Sequence, residues 1–289
     1  MSGSDWVSRW IEDAPFAKLL GLTITELSAE QARLSLGFKE ELSNGDTALH
    51  GGVAGSMIVS SAGCLARASL GPESGPWHTS ALQIGYLSAA LGEGITGTAT
   101  LLRKGKELAH VEVEVAGDGG KPIAKGLLTV RGRFGAEPLP APVVAGFAAG
   151  NDKGPMGPFI ASIPFHAALG ISAEHMADGL SRIVMPEAEA NTTPDGEIHE
   201  GALLALLDTT GAMSAWAKTG PGRFKASTPG LQARVLDPAP RGDLVGHGRV
   251  VHVDREVLFC DVEICRAADG RLVADGTVNY RIVTPELSR

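Results

Sequence analysis

The sequence predicts an α+β protein built from one domain used twice, each half a long buried helix wrapped by an antiparallel sheet of about five strands. Three observations carry this: an internal repeat, two helix-length segments almost free of charge, and strand-like alternation around them. The repeat is read first, because overlooking one misassigns the whole fold. Phe16 followed by "AKLLG" matches Phe165 followed by "HAALG" at an offset of 149. His50 matches His199 and Gly52 matches Gly201 at that same offset, and "LQIGYL" at 82–87 matches "LQARVL" at 231–236. Toward the ends, "AKGLLTVR" at 124–131 matches "ADGTVNYR" at 274–281, now at 150. So long a register marks a duplication, and two long copies are not a solenoid.

Each copy reads in the same order. A short helix around Phe16 or Phe165 stops at Gly21 or Gly170, glycine being favoured just past a helix end. Two strand-like stretches follow, 22–27 and 31–38 in the first copy, 171–176 and 179–185 in the second. After a polar loop come the apolar segments 52–69 and 201–217, too long for strands and rich in Ala, Leu and Met, which favours helix. No charged residue occurs from Gly51 to Ala66, and Asp208 is the only one from Gly201 to Ala217. A helix apolar on every side is enclosed rather than laid on a surface. Three or four strands complete each copy. "HVEVEVAG" (110–117) and "LFCDVEICR" (258–266) alternate with period two, while "LLRKGKEL" and "VVHVDREVL" read as hairpin corners. Between the copies, residues 135–158 are rich in Pro, Gly and Ala without periodicity, which marks a linker. The expected domains are therefore 1–134 and 159–289, with their sheets joined edge to edge.

Composition narrows the function. The 289 residues are 44% hydrophobic and 20% charged, with a net charge of −8, so neither nucleic acid nor an anionic membrane is an expected partner. Three cysteines, Cys64, Cys260 and Cys265, are too few and scattered for a disulfide framework or a zinc site. "MSGSDWVSRWIEDAPF" mixes acids and tryptophans without the apolar core of a signal peptide, which makes the cytoplasm the expected compartment. No phosphate-binding glycine loop, Gly-x-Ser-x-Gly elbow or dinucleotide fingerprint occurs, so no cofactor is expected. His199 and Glu200 are neighbours without a helix-spaced histidine pair, a poor basis for a metal site.

The two copies differ where chemistry is expected. The first has "NGDTALHGG" (44–52), with Asn44 six positions before His50-Gly51-Gly52, and Val59 nine positions after His50. The second has His199-Glu200-Gly201, with Asp208 nine positions after His199. Thr79 stands three residues before Leu82 of "LQIGYL", and Thr228 three before Leu231. In these residues the chain resembles the hotdog-fold acyl-CoA thioesterases, particularly the phenylacetate-pathway and 4-hydroxybenzoyl-CoA type, across both copies. The resemblance implies a double hotdog that hydrolyses an acyl-CoA to free acid and coenzyme A. It implies Asp208 as nucleophile or general base, Gly51 and Asn44 at the thioester carbonyl, His50 shaping the loop, Gly52 beside the substrate and Thr228 orienting water. Since single-hotdog relatives pair, a homodimer of these double units is the expected assembly.

The chemistry is consistent with those residue types. A helix N-terminus with free N–H groups suits a carbonyl oxygen gaining charge, and glycine permits close approach. A carboxylate suits attack or water activation. Nine residues of helix span about 13 Å, so one helix cannot bring both its N-terminus and such an acid to one carbon. The resemblance, through the dimeric sites of that family, implies that the two parts come from different copies packed antiparallel. One composite site then holds Asn44, His50, Gly51, Gly52, Asp208 and Thr228, while the reciprocal one has Glu200 for Gly51 and Val59 for Asp208. That reciprocal site is expected to be dead, lacking the acid and crowded by Glu200. Lys104, Lys106 and Arg255, at hairpin corners, are candidates to grip coenzyme A phosphates. Two other functions compete: a hotdog hydratase or dehydratase, and a non-catalytic acyl-CoA or ligand-binding protein. Release of free thiol from a panel of acyl-CoAs separates them. Val59→Asp alone is expected to leave the thiol-release rate unchanged, because Glu200 remains.

Overall fold

The computed structural model describes residues 5–147, 150–237 and 240–285. The first copy contains helices α1 (Asp5–Glu12) and α2 (Pro15–Leu20), strands β1 (Thr23–Leu27) and β2 (Gln31–Leu36), and the central helix α3 (Gly51–Leu70). It closes with β3 (Trp77–Tyr86), β4 (Ile95–Lys104), β5 (Leu108–Gly117) and β6 (Pro122–Gly132). The second repeats the order: α4 (Gly157–Ile160), α5 (Pro164–Leu169), β7 (Ser172–Ala177), β8 (Leu180–Met185) and α6 (Glu200–Thr219). Strands β9 (Lys225–Val235), β10 (Leu244–Asp254), β11 (Val257–Arg266) and β12 (Leu272–Val283) complete it. Helices α2 and α5 begin at a proline and stop at Gly21 and Gly170, which adopt the left-handed conformation at φ 72° and 70° and return their N–H groups to the last turn.

The twelve strands among the described residues form one antiparallel sheet in the order β1-β2-β4-β5-β6-β3-β9-β12-β11-β10-β8-β7. Each half therefore has six strands rather than about five. Four strands follow each central helix, the upper end of the three or four expected, and β3 and β9 carry the "LQIGYL" and "LQARVL" segments. These two strands join the halves edge to edge, from Leu82 opposite Ala233 to Gly85 opposite Gly230. Helix α1 is a further departure from expectation. It forms about two amphipathic turns that bury Val7 and Ile11 and lay Trp10 over Arg67 of α3. The segment between β6 and α4 runs along the second half, where Val144 N donates to Gly270 O and Leu272 N to Pro142 O.

Each half of the sheet curls around its own central helix. By length and composition α3 could cross a membrane, yet 89% of that apolar window lies buried inside the protein, and this enclosure explains its lack of charge. The two helices also touch each other, antiparallel. A Cβ on Gly52 would meet Ala205, one on Gly55 would meet Leu204, and Ser56 lies against Gly201. As the first number rises the second falls. Small residues along this seam bring the helices close enough for side chains of one to reach the N-terminus of the other. Where α6 faces its own sheet, Gly211 lies against Val278, and a methyl group added there would stand 2.5 Å from the valine Cβ. Gly211→Ala is therefore expected to cost about 1–3 kcal/mol by overpacking, read as a lower urea midpoint with an unchanged slope.

Candidate active site

The antiparallel seam opens a cavity of about 770 Å³ between the start of α3, the middle of α6 and the adjoining strands. Asn44, His50, Gly51, Asp208 and Thr228 all line it. The loop ahead of α3 is pinned from both sides: His50 N donates to Leu42 O, and Leu49 N to Ala90 O. His50 then caps the helix, its Nδ1 accepting from Gly52 N at 3.0 Å. As the first residue of the helix, Gly51 has no intrahelical acceptor for its N–H, which is left at the positive end of the dipole. A Cβ at position 51 would sit 3.2 Å from Asp208 Oδ2 and 4.0 Å from the Tyr86 ring. Any larger residue there would press on the acid.

Asp208 is 4% exposed and accepts from Thr228 Oγ1 at 2.8 Å through Oδ1. Burial pushes its carboxyl up from 3.8 to about 6, against the opposing pull of the Thr228 hydrogen bond. Thr228 reaches the acid because β9 is bulged there. Against β12, Gly230 faces Asn279 and Ser227 faces Arg281, so Thr228 and Pro229 together oppose Tyr280. A bulge re-aims a side chain and excuses a proline from the ladder.

Two histidines brace the loop in defined tautomers. With Nδ1 of His50 accepting from Gly52, its Nε2 carries the proton and donates to His166 Nε2 at 3.0 Å. The Ile160 carbonyl can only accept, so His166 Nδ1–H donates to it at 3.1 Å, and the one lone pair on Nε2 is shared between His50 and Thr209 Oγ1, 3.1 Å away. Burial holds His50 well below its ordinary pKa and His166 at about 4, so both rings are neutral. Every ring nitrogen of the pair is engaged, which suits His50 to shaping the loop and unsuits it to proton abstraction.

Not every expected residue converges. Asn44 lies exposed at the rim, its amide donating to Asp46 Oδ1 at 2.6 Å and Ala48 O at 3.3 Å, so it secures its own loop. Gly52 packs under the loop against Phe165 and Ala205 rather than facing the cavity. Lys104, Lys106 and Arg255 do not line the cavity. Lys104 instead folds onto the far end of α3 and donates to Ser69 O at 2.5 Å, because the β4–β5 corner lies beside the helix C-terminus. Lys106 and Arg255 sit in the turns after β4 and β10. Tyr86, His166, Trp216 and Tyr280, to which the sequence pattern assigns no role, also line the cavity. Tyr86 Oη is buried without a partner among the described residues, and both burial and the Asp208 charge push its pKa up. Its signal was present in the "YL" of the strand motif. His166 had none, since its counterpart in the first copy is Ala17. Among the described residues no cluster of His, Cys, Asp or Glu is arranged to hold a metal.

Known proteins match both halves. The thioesterase superfamily model matches residues 195–273, and the acyl-CoA thioesterase N-terminal domain model matches 38–131. A protein of Halobacterium salinarum described as an esterase is 32% identical over 105 residues, 35% of this chain and 69% of that protein. The chain belongs to the thioesterase superfamily. It is a thioester hydrolase. Two solved structures share the double-hotdog fold over nearly the full chain. One is a hotdog protein of Alicyclobacillus acidocaldarius, with TM-score 0.65 and 16% identity, covering 95% of this chain and 98% of that one. The other is an acyl-CoA thioesterase II from Mycobacterium marinum, with TM-score 0.64 and 12% identity, covering 95% and 98%.

The thioesterase departs from expectation at the reciprocal position. There Glu200 does not crowd the start of α6 but turns to Thr79, one oxygen accepting from Thr79 N at 2.7 Å and the other from Thr79 Oγ1 at 2.6 Å. The longer side chain reaches across from the helix end to the threonine that Val59 leaves unclaimed, so this second position does hold an acid. At the first position the raised Asp208 pKa carries a stability consequence. Folding favours the protonated acid, a contribution complete below the ordinary 3.8 and lost as pH rises through about 6. Asp208→Asn is thus expected to raise the melting temperature of the thioesterase at pH 8 and to converge with the parent near pH 4, measured by calorimetry across that range.

Proposed function

We propose that the chain hydrolyses acyl-CoA thioesters at one composite site per chain, with Asp208 of α6 acting on a carbonyl held at the N-terminus of α3. The observation that carries this reading is the approach of Asp208 Oδ2 to Gly51, across two helices, with its other oxygen held by Thr228. The acyl-CoA thioesterase domain match to 38–131 supports the substrate class. In this reading the Gly51 N–H and the α3 dipole receive the carbonyl oxygen as it becomes an oxyanion. Ionised Asp208 takes a proton from water, whose oxygen forms the new bond to the carbonyl carbon. Collapse breaks the carbon–sulfur bond, and the proton on Asp208 passes to the departing thiolate of coenzyme A. The free acid remains, and no cofactor enters the balance.

The cavity continues past Asp208 along Ala212, Met213 and Trp216 of α6 toward Phe224 and Tyr280. Trp216 and Phe224 stack with centroids 6.1 Å apart, and Trp216 Nε1 donates to Tyr280 Oη at 3.2 Å. This wall is apolar and aromatic, and the acyl group is assigned to it, with the coenzyme A arm leaving past Asn44.

Asp208→Asn is expected to lower kcat by about 10²–10⁴-fold on every acyl-CoA the parent cleaves, measured by thiol release. Full turnover in that variant sinks the reading. The parent's kcat/KM is expected to fall as pH drops below about 6, where Asp208 takes up its proton. One turnover in ¹⁸O-water is expected to label the released acid and leave Asp208 unlabelled. Label in Asp208 would instead identify it as the nucleophile.

A further inference from the structure

The second cavity, of about 520 Å³, is the repeat-related counterpart of the first and is lined by Trp10, Ser60, Arg67, Trp77, His78 and Glu200 among others. Its chemistry differs at each decisive position. Val59 stands where Asp208 does, Glu200 where Gly51 does, and Arg67 where Trp216 does. The acid present is also differently committed. Asp208 spends one oxygen on Thr228, whereas both oxygens of Glu200 are held by Thr79. A carboxylate so tied is poorly placed to take a proton from water over the helix end, and Val59 puts no acid at the position equivalent to Asp208.

It does hold a buried cation. Arg67 is only 5% exposed, with its guanidinium 3.3 Å above the centroid of Trp10 and 5.0 Å from that of Trp77. Among the described residues its hydrogen bond runs from Nη1 to Gly63 O at 3.0 Å. Nε has no partner among the described residues, and no carboxylate forms an ion pair with the group. Burial lowers its pKa to about 10, with Glu200 the main opposing influence. Room was made for it, since a Cβ on Gly63 would lie 2.9 Å from Nη1. Beside it, Ser60 Oγ and His78 Nδ1 are also unpartnered, on side chains 4% and 5% exposed. Three buried polar atoms without partners, Arg67 Nε, Ser60 Oγ and His78 Nδ1, on side chains that line one cavity are costly to leave unsatisfied.

We infer that this second cavity is a non-hydrolytic binding site for a small monocarboxylate with an apolar or aromatic body, its carboxylate paired with Arg67. The guanidinium and the Ser60 hydroxyl are donors and call for acceptors. The faces of Trp10 and Trp77 call for a flat apolar body. Glu73, Asp195, Glu197 and Glu200 also line the cavity, and their charges disfavour a polyanion such as coenzyme A while tolerating a single negative group matched to one cation. The inference stands independently of the proposed role of Asp208.

Calorimetric titration of the full chain with phenylacetate and with uncharged phenylacetamide tests it, in the parent, Arg67→Met and Arg67→Lys. Phenylacetate is expected to bind the parent, at least about tenfold more weakly to Arg67→Met, and with intermediate affinity to Arg67→Lys. Phenylacetamide is expected to bind weakly to all three. Thiol release by Arg67→Met should match the parent, which shows that the fold survives. The inference is overturned by unchanged phenylacetate affinity in Arg67→Met, by equal affinity for the amide, or by no binding to the parent up to the solubility of the acid. Turnover that persists in Asp208→Asn and disappears with Glu200→Gln would also overturn it, because the cavity would then be catalytic.

Discussion

Everything at the candidate site depends on the antiparallel contact between α3 and α6. A helix end offers N–H groups and a positive dipole, but an acid nine residues along the same helix lies about 13 Å away. Only a second helix running the opposite way brings such an acid to that end. Gly52, Gly55, Ser56 and Gly201 make the approach short enough. The small residues of the seam are therefore part of the site, although none of them touches the Asp208 carboxylate.

Burial then sets the charge states. The same enclosure that keeps His50 and His166 neutral keeps the Asp208 carboxyl near 6, where both of its protonation states are accessible around neutral pH. Neutral histidines can satisfy each other end to end, His50 capping α3 with one nitrogen and leaning on His166 with the other. The second copy uses His199 in the same capping role, with Nδ1 accepting from Gly201 N, and stacks it on Phe16 instead of a histidine. Each copy's short helix thus braces the other copy's loop, so neither half of the site is complete within one repeat.

Duplication allowed the two positions to diverge without disturbing this frame. Among the exchanges that separate the cavities, three change the chemistry most: Gly51 for Glu200, Asp208 for Val59, and Trp216 for Arg67. Each preserves a local requirement. The threonine of the bulged strand keeps a carboxylate partner in both halves, from α6 in each case but by different residues. A bulky group still fills the space beyond it, indole in one cavity and guanidinium in the other. The frame is held by repeated apolar packing, while the chemistry rests on a few side chains that the packing does not constrain.

The sequence by itself determined the duplication, the enclosure of α3 and α6, and the pairing of Gly51 with Asp208. The first two follow from the repeat register and from composition along the chain, and the third from the resemblance to the hotdog thioesterases together with the length of nine helical residues. Helix ends at Gly21 and Gly170 were legible from the glycines themselves. Tertiary structure alone decided the rest. Whether Glu200 would block the start of α6 or reach Thr79 depended on the width of the gap between helix and strand. His166 became His50's partner, and Lys104 turned to Ser69 instead of the cavity, through contacts between elements remote in sequence. Spacing along a chain tells which residues can share a helix face, but only the packed distance between elements tells which polar groups can meet.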